Sequence, residues 1–234
     1  LTATGGATIK ASSIGVVGGY SSGGSVSFTP TPKTGVVAAS DPLAYVQAPT
    51  VGSCAHTSFA VSGNTGTIGS PYQLYAGTYC GGISVKGNAF LDFNSGTYVL
   101  AGGGMSVDSN SYVTGSGVTF YNTTGLGGYG GITLKGTSNL SAPTSGPLAG
   151  VLFFQDRATP GAAAGTSISG SSTSTFDGAL YFLTTQVTYG GNSSANGYSI
   201  VVANQLVFNG SSTMGNNYSS LANGSPIKGT VLSE

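Results

Sequence analysis

The chain has 234 residues, 41 of them glycine, and its six basic and six acidic residues cancel to a net charge of zero. A net charge of zero excludes a protein that binds nucleic acid or anionic lipid through a strongly basic surface. A hydrophobic content of 39% excludes a disordered chain. The sequence contains no run of about 18 apolar residues that could cross a membrane.

Residues 1–59 are the less regular part of the sequence. The segment 7–13 resembles the strand phrases found later, which predicts one early coil, whereas Pro30, Pro32 and Pro42 interrupt the pattern that follows. Proline lacks the backbone donor that a central strand requires. We therefore predict a coil and a loop-rich cap over residues 1–59, in which residues 28–58 cover the N-terminal end of the coil stack.

A short phrase recurs along the remainder of the chain. Each copy reads apolar, polar, apolar, polar and then a corner of small residues, and the copies begin at Ile83, Met105, Ile132, Ile168, Val187 and Leu206. A repeat near 20 residues is typical of a solenoid. A second family of alternating strands lies between the phrases, so each coil has several faces. Residues 60–234 are predicted to form a single-domain, all-β, right-handed parallel β-helix of about eight coils.

The corner of each phrase carries an amide or a hydroxyl at its sixth position. Stacked coils place equivalent side chains above one another at a spacing of about 4.8 Å. Amides and hydroxyls at that spacing can bond to one another as a ladder. The predicted ladder consists of Asn88, Asn110, Thr137, Thr173, Asn192 and Ser211.

Cys54 and Cys80 are the only cysteines. We predict that they form a disulfide, which points to an oxidising compartment; two unrelated buried thiols are the alternative. His56, the single histidine, could not complete four zinc ligands with the two cysteines unless a carboxylate helped. No metal site and no cofactor are predicted.

Carboxylates are too sparse for the usual chemistry of a β-helix enzyme. Polysaccharide lyases and hydrolases need clustered carboxylates, and this chain has six acidic residues that converge in no coil register we can draw. Asp156 beside Arg157 could be half of an active site, but we interpret the two as a structural ion pair at a coil end. His56 has no pairing that would make it a general base. The chain is therefore predicted not to be an enzyme.

Tyrosines are the one group of side chains that could form an uncharged binding surface for sugars or proteins. We expect many of them to be core or ladder residues. The candidates are Tyr72, Tyr75, Tyr79, Tyr112, Tyr121, Tyr129, Tyr189, Tyr198 and Tyr218.

Several segments resemble the C-terminal region of TadG-like proteins of the bacterial tight-adherence (Flp) pilus system. The most specific is Phe-Phe-Gln-Asp-Arg at 153–157, within the similar segment 150–157, and the early Asp-Pro-Leu-Ala at 41–44 also fits. The similarity runs from about residue 15 to the C-terminus, and its other segments are 75–83, 102–107, 115–121, 140–147 and 217–221. Proteins of this family are typically anchored by one N-terminal transmembrane helix and project outside the cytoplasmic membrane.

The resemblance implies a role in pilus assembly, in surface attachment or in both, and it transfers no catalytic motif. The chain itself has no anchor helix, which predicts an excised domain or a processed form. We therefore expect a structural or adhesive protein that is extracellular, at the cell surface or facing the periplasm. Its expected partners are other pilus or surface proteins, with glycans as a further possibility. A filament subunit that stacks end to end and a carbohydrate-active β-helix are the alternatives.

Overall fold

A computed structural model describes residues 1–10, 13–169, 171, 173–190, 199–210 and 221. Over these residues the regular structure is entirely β, and its parallel strands stack as a solenoid of about nine turns. The prediction of a right-handed parallel β-helix is thereby confirmed.

The strands are short, because each one ends at a corner of the coil. In chain order they are β1 (Thr2–Gly5), β2 (Thr8–Lys10), β3 (Gly15–Val16), β4 (Ser21–Gly24), β5 (Ser27–Thr29), β6 (Lys33–Thr34), β7 (Cys54–Val61), β8 (Tyr72–Leu74), β9 (Gly77–Val85), β10 (Phe90–Phe93), β11 (Gly96–Ala101), β12 (Met105–Val107), β13 (Tyr112–Ser116), β14 (Val118–Thr123), β15 (Ile132–Leu134), β16 (Thr137–Ser141), β17 (Val151–Gln155), β18 (Thr166–Ile168), β19 (Thr175–Tyr189) and β20 (Ser199–Asn209).

Three parallel sheets enclose the core. The first sheet stacks β9, β11, β14 and β17, and the third stacks β8, β10, β13 and β16. The second sheet stacks β9, β12, β15 and β18. The long strands β7, β9, β19 and β20 bend around corners and belong to more than one sheet. Alternate side chains point inward, so the apolar positions of the recurring phrase form one continuous core.

The strands β1 to β6 lie beyond β20, at the opposite end of the stack from the N-terminal end that we expected residues 28–58 to cover. β1 pairs in parallel with β20, and β4 pairs with β1, so these two strands extend the second sheet beyond the last strand of the main stack. β2 pairs with β5, and β3 pairs with β6, which completes two coils. The stack therefore continues from the C-terminal coil into the N-terminal ones.

Residues 35–53 return along the outside of the first sheet, and we call this segment the strap. Leu43 and Val46 are buried in it, and they pack with Val99, Tyr121 and Phe154, whose side chains point outward from the first sheet. The strap leads into β7, which pairs with β9 and is the first rung of the main stack. A loop-rich segment does precede the regular coils, but it covers a lateral face and not the N-terminal end, and the stack begins at Cys54, before the predicted boundary at residue 60.

A seam of glycines lies at the corner between the first and second sheets. Gly103 has a φ of +68°, and a Cβ built on it would lie 2.2 Å from the carbonyl oxygen of Gly81 in the coil below. Gly104 has a φ of +65°, and its Cβ would lie 2.1 Å from the carbonyl oxygen of Gly131 in the coil above. Only glycine combines this backbone conformation with such close approach of neighbouring coils.

The predicted disulfide between Cys54 and Cys80 is present, with the two Cα atoms 5.6 Å apart. It joins β7 to β9 and closes a loop with a sequence separation of 26 residues. Because β7 has only one neighbouring strand among the described residues, the disulfide supplements the strand pairing that holds this terminal rung.

Replacing both Cys54 and Cys80 by serine should lower the free energy of unfolding by about 3 kcal/mol, because the unfolded chain regains the entropy of the closed loop. Urea unfolding followed by circular dichroism measures this loss. Wild-type protein treated with dithiothreitol is the matched control and should unfold at the same urea concentration as the double variant. Equal stability of the oxidised and reduced wild type would contradict the prediction.

Candidate functional site

Arg157, which follows β17, is the centre of the densest group of polar contacts on the side of the rod. Its Nε donates to the Asp41 carboxylate at 3.1 Å and to the Tyr181 hydroxyl at 2.9 Å. Its two terminal nitrogens donate to the backbone carbonyl oxygens of Leu43 at 2.6 Å and Val46 at 3.1 Å. The guanidinium therefore holds the strap at several points, as its planar array of donors allows.

Aromatic rings of the first sheet support the same guanidinium. Its carbon lies 5.0 Å from the centre of the Phe154 ring and 5.3 Å from that of Tyr181, within the range of a cation–π interaction. The rings of Phe154 and Tyr181 are themselves stacked, with centres 5.0 Å apart. We call the group formed by Asp41, Leu43, Phe154, Arg157 and Tyr181 the strap clamp.

The protonation equilibria of the strap clamp are coupled. Burial alone would raise the pKa of Asp41, but hydrogen bonds from the Tyr181 hydroxyl, the Leu43 N–H and Arg157 outweigh it and lower that pKa below its usual value. Burial and the hydrogen bond to Asp41 both raise the pKa of Tyr181. The carboxylate is therefore ionised and the phenol neutral at neutral pH, which suits the bonds that each one makes.

The predicted ion pair between Asp156 and Arg157 is not the one that the structure contains. Within the described residues, Arg157 forms its ion pair with Asp41, which is 116 residues distant in sequence. The Asp156 carboxylate accepts hydrogen bonds from the Thr123 hydroxyl at 2.6 Å and from the Ala158 N–H at 2.9 Å. Asp156 thus stabilises the turn after β17, while Arg157 reaches the strap.

The other candidate catalytic residues are separated from one another. Asp92 accepts a hydrogen bond from the Thr114 hydroxyl at 2.5 Å on the third sheet. The His56 ring stacks on Tyr79 with ring centres 5.1 Å apart at the β7 end of the rod. Across the described residues, no group of three His, Cys, Asp or Glu side chains is placed to hold a metal ion.

The predicted ladder is in part out of register. Strand pairing sets Ser167 opposite Thr133 and Ile168 opposite Leu134, so the phrase that appeared to begin at Ile168 is shifted by two residues relative to the others. This register makes Ser171 the counterpart of Thr137, whereas the register of the third sheet, which sets Asn139 opposite Thr175, makes Thr173 its counterpart. The hydroxyl oxygens of Thr137 and Ser171 lie 2.8 Å apart and form a hydrogen bond, as a ladder requires.

Towards the β7 end, this column contains a hydrogen-bonded pair that the sequence did not predict. The Asn88 side chain donates to that of Asn64 at 3.1 Å, whereas the predicted member Asn110 is exposed. Among the described residues no hydrogen bond links Asn110 to Asn88 or to Thr137. Asn192 and Ser211 lie outside the described residues.

The column is interrupted because the corners differ in length. Val107 and Leu134 are opposite one another in the second sheet, and Tyr112 and Thr137 are opposite one another in the third. At this corner the chain therefore advances five residues in one coil, from Val107 to Tyr112, and three in the next, from Leu134 to Thr137. A residue's place in the recurring phrase then does not determine its place in the stack.

The tyrosines do not form one surface. Tyr79, Tyr121 and Tyr189 are buried, and burial raises the pKa of Tyr79 to about 12. The Tyr129 hydroxyl accepts a hydrogen bond from the buried Gln155 amide at 3.0 Å. Tyr72 and Tyr75 are exposed near the β7 end, and Tyr112 is half-buried. Tyr198 and Tyr218 lie outside the described residues.

No family model, curated protein or solved structure matches this chain. The fold therefore defines its class, a disulfide-bonded parallel β-helix. No helix in the described part of the chain is long and apolar enough to cross a membrane.

Asp41 and Arg157 were both noted in the sequence, but they were not predicted to pair with each other. Asp41 and Arg157 are two of only 12 charged residues in the sequence. In a chain with so few charges, each acidic and each basic residue are a reasonable pair to test. That signal was available from the sequence.

Proposed function

We propose that this protein is a non-enzymatic structural or adhesive component displayed at a bacterial surface, of the type represented by TadG-like proteins of the tight-adherence pilus system. The observation that carries the proposal is the strap clamp, in which the two distinctive segments of the resemblance meet through Asp41 and Arg157.

Two further features support a surface role. The disulfide between Cys54 and Cys80 suits an oxidising compartment. The rod has about nine turns and is roughly 40 Å long. The hydrogen bonds of Arg157 to Asp41 and Leu43 hold the strap against its side. A rigid rod of this kind serves well as a spacer or an attachment element.

Deleting the gene from the source bacterium should reduce both pilus number in electron micrographs and attachment to a surface in a crystal-violet assay. The wild-type gene should restore both, and Lys135→Ala, which changes an exposed charge, should restore them equally. Arg157→Ala should restore less, because the strap is released. Antibody labelling of intact cells tests the location. Normal piliation and attachment of the deletion strain would overturn the proposed function.

We expect the purified protein to release no reducing ends and no unsaturated products from pectin, alginate or chitin, with or without Ca²⁺. The physical reason is that glycoside cleavage needs a free acid and base pair, whereas Asp41 is held by Arg157 and Tyr181, and Asp92 and Asp156 accept internal hydrogen bonds. Asp156→Ala is the matched variant and should behave as the wild type. Product formation that disappears in this variant would establish the carbohydrate-active alternative.

A further inference from the structure

Both ends of the coil stack present open strand edges. Among the described residues, β7 pairs only with β9, and β4 pairs only with β1. The Lys86 N–H donates to the Val61 carbonyl, so the N–H and C=O of the preceding residue, Ala60, point away from the stack. The Ser21 N–H donates to the Leu1 carbonyl, which directs the backbone groups of Ser22 away at the other end. Such edges are templates for pairing with another chain.

The aromatic core also reaches solvent at the β7 end. The His56 ring stacks on buried Tyr79, and the Phe59 ring contacts both of these rings. His56 is exposed and Phe59 is half-buried. Tyr72 lies beside Phe59 and is 42% exposed. A further coil stacked on β7 would bury the rings of His56, Phe59 and Tyr72.

The β4 end has the complementary features. The rings of Tyr20 and Phe28 meet edge to face with centres 5.5 Å apart, and Tyr20 is 39% exposed. Ser22 pairs with Ala3, whose side chain is fully buried in the core. The Ser22 side chain therefore lies over the end of the core. This end also lacks a covering layer among the described residues.

Exposed apolar side chains concentrate at these two ends. The β7 end has Val51, Ile68, Tyr72 and Tyr75, and the β4 end has Val17, Tyr20 and Val37. Of the large exposed hydrophobic residues in the described part of the chain, only Tyr45 and Leu126 lie elsewhere. Residues 42–85 contain no Asp, Glu, Lys or Arg. β7 and its flanking loops therefore lack the charged side chains that normally protect strand edges from association, and exposed Lys86 is the first basic residue after them.

The molecule already joins non-consecutive coils in this way. β1 stacks on β20 by parallel pairing of Thr2 with Val207 and Thr4 with Asn209, although the two strands lie at opposite ends of the chain. The Thr4 hydroxyl donates to the Asn209 side chain across this junction at 2.6 Å. Edge pairing without a connecting corner thus holds coils together within one copy.

We propose that copies of this chain stack head to tail, with the β4 end of one on the β7 end of the next, to extend one continuous parallel β-helix. Every coil has the same hand and strand direction, so this arrangement keeps the pairing parallel. Continuation of the observed register places Ser21 of one copy beside Ala60 of the next. The contact is heterologous, so it repeats and builds a filament. The inference deepens the proposed structural role by naming the partner as a second copy.

The test uses one variant for each end. Ser22→Lys places a charge over the core at the β4 end, and Ala60→Pro removes an outward-facing donor at the β7 end. Ser167→Lys is the matched control, because Ser167 lies on the second sheet far from both ends. Sedimentation velocity and negative-stain electron microscopy over a concentration series give the size and shape of the assemblies. Circular dichroism confirms that each variant is folded.

Wild-type protein and Ser167→Lys should form rods whose lengths are multiples of about 40 Å. Ser22→Lys and Ala60→Pro should each remain monomeric, and their equimolar mixture should stop at dimers, because one intact end of each kind remains. A monomeric wild type, assembly of either end variant alone, lateral bundles in place of longer rods, or a mixture that stays monomeric would each overturn the proposal. None of these outcomes depends on surface display or attachment, so failure here is distinct from failure of the proposed function.

Discussion

Replacing Arg157 by alanine is expected to lower the free energy of unfolding by about 3 kcal/mol and to release the strap. The variant loses hydrogen bonds to Leu43 and Val46, and it leaves the Asp41 carboxylate without its counter-ion in a half-buried site. Urea unfolding measures the stability loss. Chymotryptic cleavage after Tyr45, which is 52% exposed on the strap, should become faster.

Two variants separate the contributions within the strap clamp. Arg157→Lys keeps the charge but not the planar array of donors, so it should lose an intermediate amount of stability. Lys135→Ala removes an exposed cation and should change stability by less than about 0.5 kcal/mol. If Arg157→Ala unfolds at the same urea concentration as Lys135→Ala, the strap clamp does not hold the strap.

Acidification should weaken the same contact. The folded protein lowers the pKa of Asp41, so this carboxylate contributes stability above the pKa of the unfolded chain, about 4, and loses it as the pH falls through the lowered folded value. Asp41→Asn should therefore show a shallower loss of stability between neutral and acid pH than the wild type. Equal acid sensitivity of the two proteins would contradict this assignment.

Gly103→Ala, a methyl addition in the glycine seam, is expected to cause a loss of about 4 kcal/mol. Part of the cost is the φ of +68°, which an alanine adopts reluctantly, and the rest is the approach of its Cβ to within 2.2 Å of the Gly81 carbonyl oxygen. The two coils would have to separate to admit the methyl group. Thermal unfolding and the yield of folded protein measure the effect.

Gly127→Ala is the matched control for the glycine seam. Its φ of +77° imposes a similar backbone strain, but nothing lies within 4 Å of the added Cβ. This variant should lose only about 1 kcal/mol. The difference between the two variants isolates the steric cost of close coil stacking. Similar losses would mean that backbone conformation alone requires glycine at position 103.

The sequence alone determined the fold class, because alternation of apolar and polar residues with a repeat near 20 residues permits few other architectures. It also indicated the disulfide, since two cysteines allow one pairing. The ladder was harder to predict. Corners of different length give Thr137 one counterpart by the second-sheet register, Ser171, and another by the third-sheet register, Thr173. Only the structure shows that its hydroxyl hydrogen-bonds to Ser171.

The tertiary structure decided how distant segments meet. The sequence identified residues 1–59 as irregular, yet pattern alone could not show that β1 stacks on β20, because either open end of a coil stack can accept a strand edge. The pairing of Asp41 with Arg157 likewise depends on the path of the strap across the first sheet. Periodicity determines which side chains enter the core of each coil, whereas contacts between the ends and sides of the rod depend on where the chain travels between coils.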